Sequence, residues 1–156
     1  MLIQPAKPSG GANESASIRS GSFWPEVDPI AARAAMRLDG TVTAERLRSA
    51  LIEAIASVNS QLADWRRLAQ DAGNASLHAV PADEIDGQSI QVQRWQRAVQ
   101  CLAAANLTER YRSFDSTAAG HKQADELGTA IDDLRRDGRW AISDILGLGR
   151  STVELI

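Results

Sequence analysis

The residues able to do chemistry are few and far apart. His78 and His121 are the two histidines of the chain, and Cys101 lies between them. Zinc sites draw their ligands from closely spaced pairs, so this spacing points to no metal centre, and no cofactor is expected. Cys101 sits in a stretch without charges, where a thiol behaves as a small apolar side chain and not as a nucleophile. The acidic cluster Asp83, Glu84, Asp86 followed by Gly87 resembles part of a calcium loop but lacks the alternating acids and the closing glutamate. Carboxylates favoured by the dipole at a helix N-terminus account for it better. Asp132, Asp133 and Asp137 form a second carboxylate group, yet Arg135, Arg136 and Arg139 are interleaved with them, as on a solvated, ion-paired helix face. The chain has no phosphate-cradling Walker loop, dinucleotide fingerprint, nucleophile elbow or HExxH zinc helix. An enzyme is not expected.

Two groups could grip nucleic acid: Arg94 and Arg97 around Trp95, and Arg110 and Arg112 around Tyr111. Cations would hold phosphates while the rings stack on bases. Trp95, however, leads an apolar helix and is expected in the core, and no basic recognition helix is present. The totals agree. Seventeen Lys plus Arg against twenty Asp plus Glu give a net charge of −3, which disfavours a dedicated nucleic-acid or anionic-membrane binder. With 156 residues, 44% of them apolar, one domain is expected. A single cysteine makes no internal disulfide, and neither a signal peptide nor an apolar run of roughly 18 residues is seen. A soluble protein made in a reducing cytoplasm is expected, with no membrane contact.

The elements that must carry these residues read as helices. Ten of the first 22 residues are Gly, Pro or Ser, a composition that buries too little apolar area to offset chain entropy, so residues 1–22 are expected to be a flexible arm. Asp28 can cap, and Pro29 can open, a short helix to about Arg37. Thr43 can cap a long amphipathic helix with Leu47, Leu51, Ala54, Ile55, Val58, Leu62, Trp65 and Leu68 on one face, ending near Gly73. A third helix runs from about Ser89 to Arg112. Its eleven charge-free residues from Ala98 to Thr108 predict a central position, contacted on several sides. Ala124, Leu127, Ile131, Leu134, Gly138, Ala141, Ile145 and Leu148 then recur at steps of three and four as a heptad seam. Gly138 lies on that seam, where it either admits a neighbour or breaks the helix. After Gly147, Gly149 and Arg150, the β-prone segment 151–156 either frays or pairs with another molecule's strand edge.

Particular strings carry more than these patterns. Trp24-Pro25-Glu26-Val27-Asp28-Pro29, Met36-Arg37-Leu38 leading into residues 41–48, and Val80-Pro81-Ala82-Asp83-Glu84-Ile85-Asp86-Gly87 resemble the head completion/stabilisation protein (gpL type) family of myophages. So do Glu109-Arg110-Tyr111-Arg112, the Lys122-Gln123-Ala124-Asp125 region, Asp133-Leu134-Arg135-Arg136-Asp137 and Arg139-Trp140-Ala141. The resemblance spans about residues 22–156 in order and does not extend to residues 1–20. It implies a non-enzymatic virion subunit that binds the portal vertex after DNA packaging, stabilises the filled head and receives tail-completion or tail terminator proteins. Similar helical adaptors of head-to-tail connectors form a ring of about twelve copies, a closed heterologous assembly, through which genomic DNA passes without specific binding.

The expected architecture is therefore all-α: a small bundle of long helices over residues 23–148, between a flexible arm at 1–22 and a docking tail at 149–156. The expected portal or subunit contacts are Val153, Leu155 and Ile156 of the tail, with Phe23 and Trp24 where the fold begins. The heptad seam, apolar tail and arm exceed what one small bundle must bury, which favours side-by-side packing of copies. A small helical nucleic-acid-binding regulator is the alternative from another class.

Overall fold

The computed structural model describes residues 16–112 and 118–150, with the backbone alone for 111–112 and 118–127. The described chain is helical apart from one short hairpin: α1 (Pro29–Ala35), α2 (Ala44–Gln61), α3 (Ala63–Asp71), a 3-10 turn (Leu77–Ala79), β1 (Glu84–Ile85), β2 (Gln88–Ser89), α4 (Ile90–Arg112) and α5 (Ala118–Leu146). α4 is the centre, packed most extensively on α5 and next on α2. From Gln88 through Thr108 only Arg97 is exposed, as the run without charges predicts.

The helix starts follow their caps. The Asp28 carboxylate accepts the Ile30 amide at 2.9 Å with Pro29 in the first turn, and the Thr43 hydroxyl accepts the Arg46 amide at 3.3 Å. Leu47, Leu51, Ala54, Ile55 and Val58 of α2 are buried, but the long helix expected to reach Gly73 is interrupted at Leu62. No glycine or proline marks the break. Leu62 is fully buried with φ −100° and ψ 8°, and the kink turns α3 so that Trp65 meets Phe23 at 6.4 Å between ring centroids. Leu68, expected on the apolar face, is left 70% exposed.

Residues 16–22, assigned above to a flexible arm, belong in this part to the packed domain. Ile18 and Val27 exchange backbone hydrogen bonds of 2.8 and 2.9 Å, and Ile18 is buried. The Arg48 guanidinium donates to the Ala16 carbonyl at 2.7 Å, and the Asn59 amide to the Ser20 hydroxyl at 3.1 Å. Local composition gives no sign of these long-range partners. The rest of the arm, residues 1–15, lies outside the described residues.

The acidic cluster at 83–87 also differs from the expectation of helix N-terminal carboxylates. Asp86 and Gly87, with φ of 56° and 71°, close the two-residue turn of the β1–β2 hairpin, the geometry for which Asp-Gly is favoured. Gln93 of α4 clamps this turn, its side-chain amide donating to the carbonyls of Ile85 and Gln88 at 2.7 and 3.0 Å.

Gly138 does not break α5. A Cβ there would meet Leu102 at 3.4 Å and Cys101 at 3.5 Å, so the glycine sits where α4 and α5 are close. Ile131, Ala141 and Ile145 of the seam are buried together with Ile142. Leu148 lies beyond the helix and is 60% exposed.

Trp95 ties the layers together. It is fully buried, stacks on Trp24 at 5.8 Å and 11° between ring planes, and donates its indole N–H to Asn59 at 2.9 Å. Trp24 in turn meets Phe23 edge-on at 4.9 Å. An Asn59→Ala variant leaves that indole donor unpaired, a loss of about 1–3 kcal/mol expected as a lower urea midpoint. Gly138→Ala fits in ordinary contact and removes the entropy cost of a mid-helix glycine, so it should raise the midpoint by about 0.5–1 kcal/mol. Gly138→Leu should lower it by prying the helices apart.

Candidate assembly surface

α4 and α5 are antiparallel, and their shared flank is laced with ion pairs. Arg135 meets Glu109 at 2.5 Å near one end. Arg97 reaches Asp137 at 3.8 Å further along. Asp137 also accepts from Arg136 at 3.0 Å, and Arg136 binds Asp133 at 2.7 Å. The interleaved acids and arginines therefore form the ion-paired face expected from their order. Burial pushes the Cys101 thiol above its ordinary value, with Asp137 adding to the effect against the opposing pull of Arg97. A thiol held protonated is a poor nucleophile.

This flank ends where the described residues end. Gly147, with φ 70°, closes α5. Its amide donates to the Asp144 carbonyl at 3.4 Å, and the Leu148 amide donates to the Ser143 carbonyl at 2.9 Å. This is the paired closure that glycine at the first post-helical position permits. The reversal brings Arg150 back along the helix, where its guanidinium donates twice to Asp144, at 2.7 and 3.3 Å. The same guanidinium lies 5.0 Å from the centre of the Trp140 ring, and that of Arg136 lies 4.7 Å from it. Cation–π attraction and the two-toothed ion pair thus act on one side chain. Arg150 holds the Asp144 carboxyl below the ordinary aspartate value, the hydrogen bond contributing most, with Arg94 and Arg97 adding their charge.

The expected contact residues are placed unequally. Phe23 and Trp24 are buried in the chain's own core, at 3% and 5% exposure. They pack on Trp65 and Trp95, and both also border the cleft described below. Their apolar bulk signalled burial as strongly as contact. Val153, Leu155 and Ile156 lie outside the described residues, as does the β-prone segment 151–156 itself. The large exposed apolar side chains among the described residues are Ile30, Ile52, Leu68, Ile85 and Leu148, one each on α1, α2, α3, the hairpin and the turn after α5.

Other candidate chemistry does not assemble. Among the described residues no group of three or more His, Cys, Asp or Glu could hold a metal ion, and no helix is long and apolar enough to cross a membrane. A cleft of about 450 Å³ beside Phe23 and Trp24 is lined by Ser22, Glu26, Ser76, His78, Gln88 and Gln96, and the Ser76 hydroxyl there caps the 3-10 turn by accepting the Ala79 amide at 3.3 Å. Trp95, one of the two rings offered for base stacking, is fully buried, and the side chain of the other, Tyr111, lies outside the described residues. The Arg150 contacts were missed in the sequence. The one available signal was an acid and an arginine six residues apart across a glycine.

A family model described as phage head completion protein (GPL) matches residues 18–156. The chain is 43% identical over 145 residues to the head completion/stabilization protein of Escherichia phage P2, an alignment covering 93% of this chain and 86% of that protein. No solved structure matches.

The lowered pKa of Asp144 fixes the pH response of the Arg150 contact. A carboxylate with a lowered folded-state value keeps its contribution above the unfolded value and loses it as pH falls through the folded one. The contact should persist down to the ordinary aspartate value of 3.8 and open only below it, as followed by the Arg150 side-chain nitrogen resonance. Asp144→Asn should open it at neutral pH. Because the pair is partly exposed, the thermal midpoint should scarcely move.

Proposed function

The chain belongs to the phage head completion protein (GPL) family, and on that footing we propose that it seals the DNA-filled head by binding the portal vertex and there offers the surface to which tail-completion or tail terminator proteins attach. The observation that carries this reading is the 43% identity extending over 93% of the chain, together with a family match over residues 18–156 that takes in every helix and both strands of the described fold. Head completion is a structural virion role, and no catalytic activity is indicated for the family.

The finer parts of the reading rest on physical grounds. Copies are proposed to close into a ring by heterologous side-by-side contact, which repeats until the rotation closes. The described part of the heptad seam is largely spent on α4, so it is not the surplus face anticipated above. The contacts between copies then fall to the exposed apolar residues of the outer elements and to the tail. Val153 and Leu155 share one face of an extended strand, and pairing of 151–156 with a strand edge of the portal or a neighbouring copy would draw affinity from backbone bonds and fit from these side chains. The lumen is proposed to carry DNA without gripping it, because each neutralised phosphate adds to retention. The arginines of the α4–α5 flank support this, since Arg97, Arg135, Arg136 and Arg150 already face carboxylates. The regulator alternative gains nothing from a buried Trp95.

A phage lacking this polypeptide should package DNA into heads that then lose it to nuclease, and filled heads that stay protected would refute the role. Supplied in its place, a chain without residues 151–156 should keep its helical circular dichroism yet be absent from purified filled heads. Normal attachment of the truncated chain would refute tail docking.

A further inference from the structure

We infer that the β1–β2 hairpin of one copy docks on the outward face of α1 of the next copy, Ile85 seating on Ile30 and Ala34 while the hairpin carboxylates face Arg37. This rests on the proposed closing of copies into a ring and names the two surfaces that meet. The large apolar side chains exposed among the described residues differ in their charged surroundings. Ile52 lies among Glu45, Arg48 and Glu53, and Leu68 among Asp64, Arg66, Arg67 and Asp71, both of mixed sign. Leu148 lies between Asp144 and Arg150, which pair with each other. Ile85 and Ile30 have neighbours of a single sign. From Val80 through Ser89, around Ile85, the chain has Asp83, Glu84 and Asp86 and no cation. From Pro29 through Leu38, around Ile30, it has Arg33 and Arg37 and no acid, and Asp28 just before them caps the helix. The complement of the acidic apolar tip is therefore carried by the same chain, which makes a second copy its occupant.

Both surfaces are open. Ile85 is 55% and Ile30 53% exposed, so neither covers the other within one chain. α1 presents Ile30, Ala31, Ala34 and Ala35 outward while Pro29 and Ala32 are buried, an apolar strip of small residues with room for a branched side chain. Asp83, Glu84, Asp86 and Arg37 are exposed and have no ion pair among the described residues, unlike the paired acids of the α4–α5 flank. The hairpin is held still for the purpose. Two-residue strands do not hold a hairpin by themselves, yet the Ile90 amide donates to the Asp83 carbonyl at 2.9 Å and Gln93 clamps the turn. A tip fixed beforehand loses little freedom on docking, and opposite charges around the apolar contact set its register. Because the hairpin and the α1 face are different surfaces, each docked copy keeps one of each free, and the contact repeats.

Disulfide trapping in the full chain tests this contact. With Cys101→Ser removing the native thiol, Ile85→Cys together with Ala34→Cys should oxidise, in the purified chain at about millimolar concentration, to a ladder of covalent multimers. Either single cysteine should stop at the dimer. The yield should fall several-fold as salt rises from about 0.05 to about 0.5 M. A double-cysteine chain that gives no species beyond the dimer would overturn the contact, and a ladder indifferent to salt would overturn the charge pairing. Supplied in trans to a phage lacking its own copy, Asp83→Lys with Glu84→Lys should keep its helical circular dichroism yet reach purified filled heads at about one tenth of the normal amount or less. Adding Arg37→Glu should restore part of it. Full incorporation of the lysine pair would overturn the role of the contact in the head. Absence of the unaltered chain from filled heads would refute the head-sealing reading alone, because the ladder is read without heads.

Discussion

A buried indole needs a partner for its one polar atom, and the way Trp95 finds it governs the rest of the molecule. The side chain is wholly enclosed and its N–H is satisfied by Asn59 of α2, which sets the register of α2 against α4. The other amide atom of Asn59 holds Ser20, and Trp24 stacks on the Trp95 ring. One aromatic residue thereby fixes two helices and the segment before α1. Orphaning such a donor costs more than its hydrogen bond contributes, so the arrangement has few alternatives. The chain Trp65, Phe23, Trp24, Trp95 extends the tie out to α3, a helix with no fully buried residue of its own.

With α2 and the N-terminal segment on one side of α4, the other side is left to α5. That explains why α4 tolerates so few charges, and why α5 spends its apolar stripe within the chain. The heptad periodicity is present, but its partner is α4: Gly138 lies against Leu102 and Cys101, and Ile131, Ala141 and Ile145 are buried. A repeat that resembles an oligomer seam and a repeat that builds an intramolecular helical hairpin have the same sequence signature. They differ only in whether a second apolar helix of matching length is available in the same chain. Here α4 is that helix.

Residues whose signals are local were legible in the sequence. Asp28 with Pro29, Thr43, Gly73 and Gly147 mark helix ends by capping chemistry that acts within a few residues, and the burial of Trp95 followed from its place at the head of a helix with a long charge-free run. What was not legible depends on partners distant in sequence. The packing of Ile18 on Val27 and the Arg48 bond to Ala16 gather residues 16–22 into the domain, although their composition matches that of residues 1–15. The kink at Leu62 has no glycine or proline to announce it and follows from Trp65 reaching Phe23. The Asp-Gly turn at 86–87 was readable but was weighed as charge, when its backbone preference was the stronger effect. Among the site residues, Phe23 and Trp24 are large apolar side chains at a domain edge, a type that suits a contact or a core position alike. Only the tertiary packing separates the two.

The surface of the α4–α5 pair bears on the proposed function through its charges. An arginine that grips phosphate must be free to exchange its counterion for the backbone. On this flank Arg97, Arg135, Arg136 and Arg150 each have a carboxylate of the same chain within ion-pair distance, and a passing phosphate would compete with a tethered partner at high local concentration. Arg136 and Arg150 are held further by the Trp140 ring. The cost of release rises with each bond, so the pairing would weaken the hold of this face on a polyanion, in keeping with the proposed passage of DNA. For a subunit proposed to hold its neighbours while a charged polymer moves past, that insulation is the property the interleaved acids and arginines supply.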